Sequence, residues 1–152
     1  MFKDRIVVFD EDKYDGDAFE FFPLSSFPYP EDLEEVYPFP NPLSEVPTEE
    51  GRCFVNALRI AEFDDGYEIV FGYFGTEDRL TPHCFSKLQN MYFEVTPAVT
   101  TADTRYFRYC SLSRAEYKAE MREQLGPDFK AGRNQYPISV DKDGNFVFVR
   151  VK

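Results

Sequence analysis

A chain of 152 residues has the size of one ordinary domain, so we expect a single domain over residues 1–152. Its net charge of -11 comes entirely from residues 1–50, which hold 14 acidic and three basic side chains. Such a surface would be repelled by nucleic-acid phosphates and anionic lipids, which argues against direct nucleic-acid binding and leaves basic proteins open as partners.

Two further features of the composition point to a cytoplasmic protein. No apolar run approaches the roughly 20 residues needed to span a bilayer, so we expect a soluble chain without membrane association. The three cysteines, Cys53, Cys84 and Cys110, are odd in number and lack the spacing of a disulfide framework or a structural zinc site. A reducing compartment is therefore expected, and nothing in the sequence indicates a metal or a cofactor.

The first third of the chain is rich in aromatic residues and prolines. Aromatic side chains make up 18% of the protein, with 17 Phe and 10 Tyr, which favours strands around a ring-filled core. Strands are predicted at residues 5–9 and 19–22, joined as a hairpin by a turn at 14–17. Seven prolines within residues 23–47 exclude most regular structure there, and the aromatic residues among them indicate a segment packed on the domain surface.

The remaining elements follow from hydrophobic periodicity. Apolar residues at helical spacing predict a helix over 52–63, which an Asp-Asp-Gly sequence ends. Four strands are then expected, at residues 67–73, 83–86, 91–96 and 104–110. A capping box at 113–116 begins a second helix, and a hairpin turning at 141–144 closes the chain. These elements predict an α+β fold in which an antiparallel sheet packs on a central helix bearing Cys53.

Three side chains in the middle of the chain have a pattern typical of nucleophilic catalysis. Cys53 begins the first predicted helix, where the helix dipole lowers the pKa of a thiol. Asn56 lies one turn later on the same face and is a candidate to bind or orient a substrate. His83 is the only histidine, so any base for Cys53 must be this residue. A lone cysteine is more often a small buried side chain than a nucleophile, and the helix start and the histidine make the two interpretations about equally well supported.

The acid partner of His83 follows from the register of the next two strands. If their loop is centred between Leu88 and Gln89, His83 lies directly opposite Glu94 on the same face. Opposed residues have Cβ atoms roughly 4.5–5.5 Å apart, within reach of an imidazole–carboxylate hydrogen bond. Such a bond would orient the ring as the third member of a catalytic triad does.

These residues also resemble a known superfamily over residues 51–97. The order of a helix with Cys53, a strand with His83 and a following strand with Glu94 is similar to that of papain-like and transglutaminase-like proteins. The likeness is closest to small bacterial and phage proteins with a Cys-x-x-Asn-Ala helix, a His-Ala-Trp-like strand and an Asp-Pro-Thr-like end. Here Glu94 stands where that family has aspartate, and Phe85 is the aromatic residue two positions after the histidine.

The resemblance implies a papain-like core and a chemistry for it. Cys53 would be the nucleophile, His83 the general base, Glu94 the orienting acid, and the Cys53 backbone N–H an oxyanion donor. The function implied is hydrolysis or acyl transfer at an amide or other acyl bond of a protein or peptide-like substrate, in bacterial or phage-infected host cytoplasm. The alternative is a non-enzymatic binding protein or nucleic-acid mimic, which uses the acidic residues 1–50 on a degenerate scaffold of this type.

Overall fold

A computed structural model of the protein describes residues 6–10, 21–27, 30–97, 102–127, 139–140 and 145–150. Its strands are β1 (Ile6–Asp10), β2 (Glu34–Val36), β3 (Phe39–Pro40), β4 (Tyr67–Thr76), β5 (Arg79–Leu88), β6 (Met91–Glu94), β7 (Arg105–Ser113), β8 (Ser139–Val140) and β9 (Phe146–Arg150). The helices are α1 (Cys53–Phe63) and α2 (Arg114–Leu125). Neither helix has the length and apolarity needed to cross a membrane. This content confirms the predicted α+β class.

The larger sheet has six strands in the order β2-β7-β4-β5-β6-β3. All its neighbours are antiparallel except the edge pair β3 and β6. Alternate residues of the central strand β4 belong to the core cluster that also includes the buried face of α1, as the sequence pattern predicts. These residues are Tyr67, Ile69, Phe71 and Tyr73. Val70 belongs instead to a smaller cluster with Phe85 and Tyr106, so both sides of the sheet are covered at its centre.

The two helices lie where the sequence places them. Arg52 is the N-cap of α1, and its guanidinium, which has no hydrogen-bond acceptor, cannot cap the helix. The backbone N–H groups at the start of the helix, from Cys53 on, therefore receive no cap from this side chain. The second helix begins with the predicted capping box. Ser113 accepts a hydrogen bond from the Glu116 backbone, and the Glu116 carboxylate accepts one from the Ser113 backbone.

The smaller sheet contains a pairing that the sequence analysis did not predict, since β1 runs parallel to β9 over five residue pairs. Phe22 bridges Leu80 of β5. The expected hairpin between residues 5–9 and 19–22 stays a prediction, because its turn at 14–17 and residues 19–20 lie outside the described residues. The closing hairpin is confirmed by the β8–β9 pairing, and its turn at 141–144 also lies outside them.

The proline-rich segment packs on the domain, as predicted. Phe27, Val36 and Val46 are buried along it. It also forms β2 and β3, which the sequence analysis did not predict, at the two edges of the larger sheet. Pro40 is tolerated in β3 because an edge strand needs hydrogen bonds on one side only.

Candidate active site

Cys53 lies against a part of the β5 edge with which no strand of the described residues pairs. The β6 ladder covers β5 only from Ser86 to Leu88, and the Phe22 bridge covers it at Leu80. Between these pairings the backbone N–H of Cys84 donates to the Cys53 sulfur at 3.4 Å. The start of α1 is thereby held against the strand that bears the histidine.

His83 is held between the carboxylate of Glu94 and an aromatic ring. Its side chain is 4% exposed and stacks on Phe74, with 3.7 Å between ring centroids. Its Nε2 lies 2.7 and 3.0 Å from the two Glu94 oxygens. Hydrogen bonding to the Cys53 side chain contributes to a raised pKa of His83. Since Nε2 faces Glu94, Nδ1 is the nitrogen available to Cys53. The structure therefore brings all three predicted residues of the triad together.

The register that joins His83 to Glu94 differs from the prediction. The β5–β6 loop is centred between Gln89 and Asn90, one residue later than expected, because Leu88 pairs with Met91. Continuing this register places Glu94 diagonal to His83, not directly opposite it. A shift of two in pairing keeps both side chains on one face, and long side chains still meet across diagonal positions roughly 7–8 Å apart. The extra methylene of Glu94 relative to aspartate suits this longer reach.

The contacts of Cys53 favour its ionised form. A hydrogen bond from the Cys84 thiol lowers the pKa of Cys53 most; burial opposes this, and the hydrogen bond and charge of His83 lower it further. The net result is a Cys53 pKa well below that of an ordinary thiol. Burial alone would lower the pKa of His83, but its bonds to Cys53 and Glu94 and their negative charges raise it to about 9. The site therefore stabilises a thiolate–imidazolium pair.

The other two cysteines differ sharply from Cys53. Burial raises the pKa of Cys84 well above the usual range, and burial raises that of Cys110 to about 12. Cys84 is buried and Cys110 is half-buried. The contact between Cys84 and Cys53 was not predicted, because alternation along β5 points the Cys84 side chain away from His83. Cys53 contacts both Cys84 and His83 because it lies at the edge of β5.

Tyr106 is a site residue that the sequence analysis missed. Its hydroxyl donates to Glu94 at 2.9 Å, so the carboxylate is held from β7 as well as by His83. Alternation within the predicted strand 104–110 could not assign its face with respect to Glu94. The β4–β7 register shifts between Phe71 and Gly72, and nothing in the sequence marks that irregularity.

Asn56 is fully buried and acts within the protein. Its amide accepts from the Glu49 N–H at 2.9 Å and donates to the Glu49 carbonyl at 2.7 Å. It also donates to the Thr96 hydroxyl at 2.9 Å. These bonds tie the loop before α1 and the segment after Glu94 to one helix position. Of the two roles predicted for Asn56, orientation of the site fits this geometry, whereas full burial keeps it from a substrate.

A cavity of about 650 Å³ lies on the Glu94 side of the triad. The proline-rich segment forms one wall, with Tyr37 and Phe39, while Tyr106 and Arg105 of β7 line another. Neither Cys53 nor His83 lines the cavity, so a molecule bound there would have to extend past Glu94 to reach the sulfur. Among the described residues, no group of three or more His, Cys, Asp or Glu side chains could hold a metal ion.

No protein-family model, no curated protein and no solved structure matches the chain. The function must therefore be argued from the site geometry.

Proposed function

We propose that this protein is a cysteine-dependent hydrolase or acyltransferase that acts on an amide or similar acyl bond through a thioester at Cys53. The observation that supports this most is the convergence of three side chains: the His83 Nε2 lies 2.7 Å from Glu94, and hydrogen bonding and charge between His83 and Cys53 lower the pKa of the thiol and raise that of the imidazole. The order of a thiol at a helix start, a histidine strand and an acidic residue after it is that of papain-like and transglutaminase-like proteins. We propose such a core for residues 51–97.

In the first half of the proposed reaction, the Cys53 thiolate attacks the carbonyl carbon of the substrate. The helix start offers the Cys53 backbone N–H to the oxyanion that forms. The His83 imidazolium gives its proton to the leaving amine as the C–N bond breaks, which leaves a thioester and a neutral imidazole. Glu94 stabilises the ring while it is charged and keeps Nδ1 directed at the sulfur.

In the second half, a water molecule or an amine attacks the thioester. His83 removes a proton from this nucleophile, and the C–S bond breaks to restore the thiolate and the imidazolium. The identity of the nucleophile separates a hydrolase from an acyltransferase. We propose a protein or peptide-like substrate, because the cavity beside Glu94 has room for several side-chain-sized groups and is walled by aromatic and proline residues.

One observation favours a second candidate, an acidic binding protein without catalysis. The cavity is lined by Glu94 and not by Cys53, and the exposed aromatic residues Tyr37 and Phe39 stand beside it. In this case a basic partner would occupy the cavity and the thiol would have no turnover.

Acyl transfer from an activated ester separates the two candidates without knowledge of the substrate. With p-nitrophenyl acetate, intact-protein and peptide mass spectrometry should detect an acetyl thioester on Cys53 that forms faster than on Cys110 and then disappears. In His83→Ala, the thioester should form more slowly and persist, because the imidazole that activates water is gone.

Cys110→Ser is the matched control, since it removes a thiol outside the triad and should leave both steps unchanged. Acetylation of Cys53 no faster than that of Cys110, or a thioester that outlasts the experiment in the unmodified chain both in water and with an added amine, would contradict the enzyme and leave the binding protein.

A further inference from the structure

Cys53 and Cys84 form a pair of thiols in contact, and the proposed reaction uses only one of them. The Cys53 sulfur accepts a hydrogen bond from the Cys84 backbone N–H at 3.4 Å, and Cys53 packs against the core cluster that includes the Cys84 side chain. The two residues differ in access, since Cys53 is half-buried whereas Cys84 is 1% exposed. A small oxidant would therefore meet Cys53 first, with a second thiol already beside it.

We propose that Cys53 and Cys84 are a thiol-oxidation site at which hydrogen peroxide converts the pair into a reversible disulfide. The Cys53 thiolate attacks one peroxide oxygen, the O–O bond breaks, and Cys53 becomes a sulfenic acid. The other oxygen leaves as hydroxide and takes the His83 proton to become water. The Cys84 sulfur then attacks the sulfenic sulfur, and the hydroxide that leaves takes the Cys84 thiol proton as a second water. Two thiols are oxidised, and one peroxide is reduced to two waters.

The arrangement has the features that make such a step selective. Oxidation follows thiolate character and access, and reversible sites have a resolving thiol beside the reactive one. Cys110 cannot form a disulfide with Cys84, because Cys84 and Cys110 pair with Phe71 from opposite sides of β4. Two strand spacings separate them by about 9.5 Å, beyond the roughly 7 Å between Cα atoms that a disulfide tolerates.

The disulfide would reversibly block the sulfur that acyl transfer needs. The inference does not depend on that reaction, however, because it needs the Cys53 thiolate, the His83 proton and the neighbouring Cys84 thiol but no acyl substrate. A chain that forms the cross-link but never acetylates Cys53 would keep this inference and lose the proposed function. A chain that becomes acetylated at Cys53 but forms no cross-link would keep the proposed function and contradict this inference.

Peptide mapping of the full-length protein tests the proposal. The reduced chain is treated with a small excess of hydrogen peroxide, digested without reductant and analysed by mass spectrometry. We expect a peptide joining Cys53 to Cys84, complete loss of iodoacetamide labelling at Cys53, and full recovery of that labelling after dithiothreitol. Cys110→Ser should give the same cross-link.

In Cys84→Ala and Cys84→Ser, the Cys53 sulfenic acid should instead be trapped by dimedone and, without dimedone, proceed to sulfinic acid that dithiothreitol does not reverse. If neither variant folds, the mapping of the unmodified chain decides alone. Cross-links from Cys53 to Cys110 or to another chain, or sulfinic acid at Cys53 with Cys84 still a free thiol, would overturn the proposal.

Discussion

Replacing Glu94 by glutamine should raise the pKa of Cys53 and slow its alkylation at mildly acidic pH. Both Glu94 oxygens lie within 3.0 Å of the His83 Nε2, and Tyr106 donates to one of them. Glutamine has nearly the same shape and can still accept from Tyr106, but it has no charge to balance an imidazolium. Glu94→Gln therefore removes the charge of the acid and leaves its packing.

The size of the effect follows from the burial of the pair. The side chains of His83 and Glu94 are 4% and 12% exposed, so solvent screens their interaction little. A hydrogen bond to a charged group contributes about 1.5–3 kcal/mol, and one pKa unit corresponds to about 1.36 kcal/mol. Since the Cys53 thiolate is stabilised by the His83 charge, its pKa should rise by about one to two units. Below that pKa, alkylation should slow by about 10- to 100-fold.

The assay is the rate of iodoacetamide labelling against pH, with each cysteine followed by peptide mass spectrometry. The matched control is Glu35→Gln, which removes a carboxylate from an ion pair with Arg105 at 2.9 Å and does not contact His83. The control should keep the Cys53 profile of the unmodified protein. Superimposable profiles in Glu94→Gln and the unmodified protein, with lower stability in the variant, would mean that Glu94 packs the core and does not support the imidazolium.

Two other results are expected. Thioester formation from an amide needs the imidazolium proton, so its rate should fall as pH rises through about 9, the raised pKa of His83. The rate of alkylation of the Cys53 thiolate should not fall over the same range. A parallel decline of both rates would refute the roles assigned to Cys53 and His83. Gly72→Ala should lower the melting temperature strongly, at a cost of about 3 kcal/mol or more, because a Cβ there would overlap the Phe107 carbonyl of β7. Gly51→Ala is the matched control, since alanine at its positive φ of 76° costs only about 1–2 kcal/mol and the added Cβ meets no neighbour. Equal decreases of the melting temperature in the two variants, measured by circular dichroism, would exclude overlap with the Phe107 carbonyl as the cause.

The sequence by itself determined the helices and the strands around the site, and it pointed to the three residues Cys53, His83 and Glu94 of the proposed triad. Those features depend on local rules: apolar spacing along α1, the Ser113 capping box, and alternation along β4 and β5. His83 and Glu94 lie on the same face of the sheet for every β5–β6 loop with an even number of residues. Their proximity could therefore be predicted although the predicted register was wrong.

Only the tertiary structure decided how the site is completed. The diagonal contact between His83 and Glu94 depends on a loop in which Gln89 has a φ of 55°. Glycine and asparagine commonly adopt this conformation but glutamine rarely does, so the sequence does not indicate this turn. The approach of Tyr106 depends on an irregularity between two strands, and the contact of Cys84 with Cys53 depends on where a helix start meets a strand edge. Each brings together residues far apart in the chain, so packing among whole elements determines it and no local pattern specifies it.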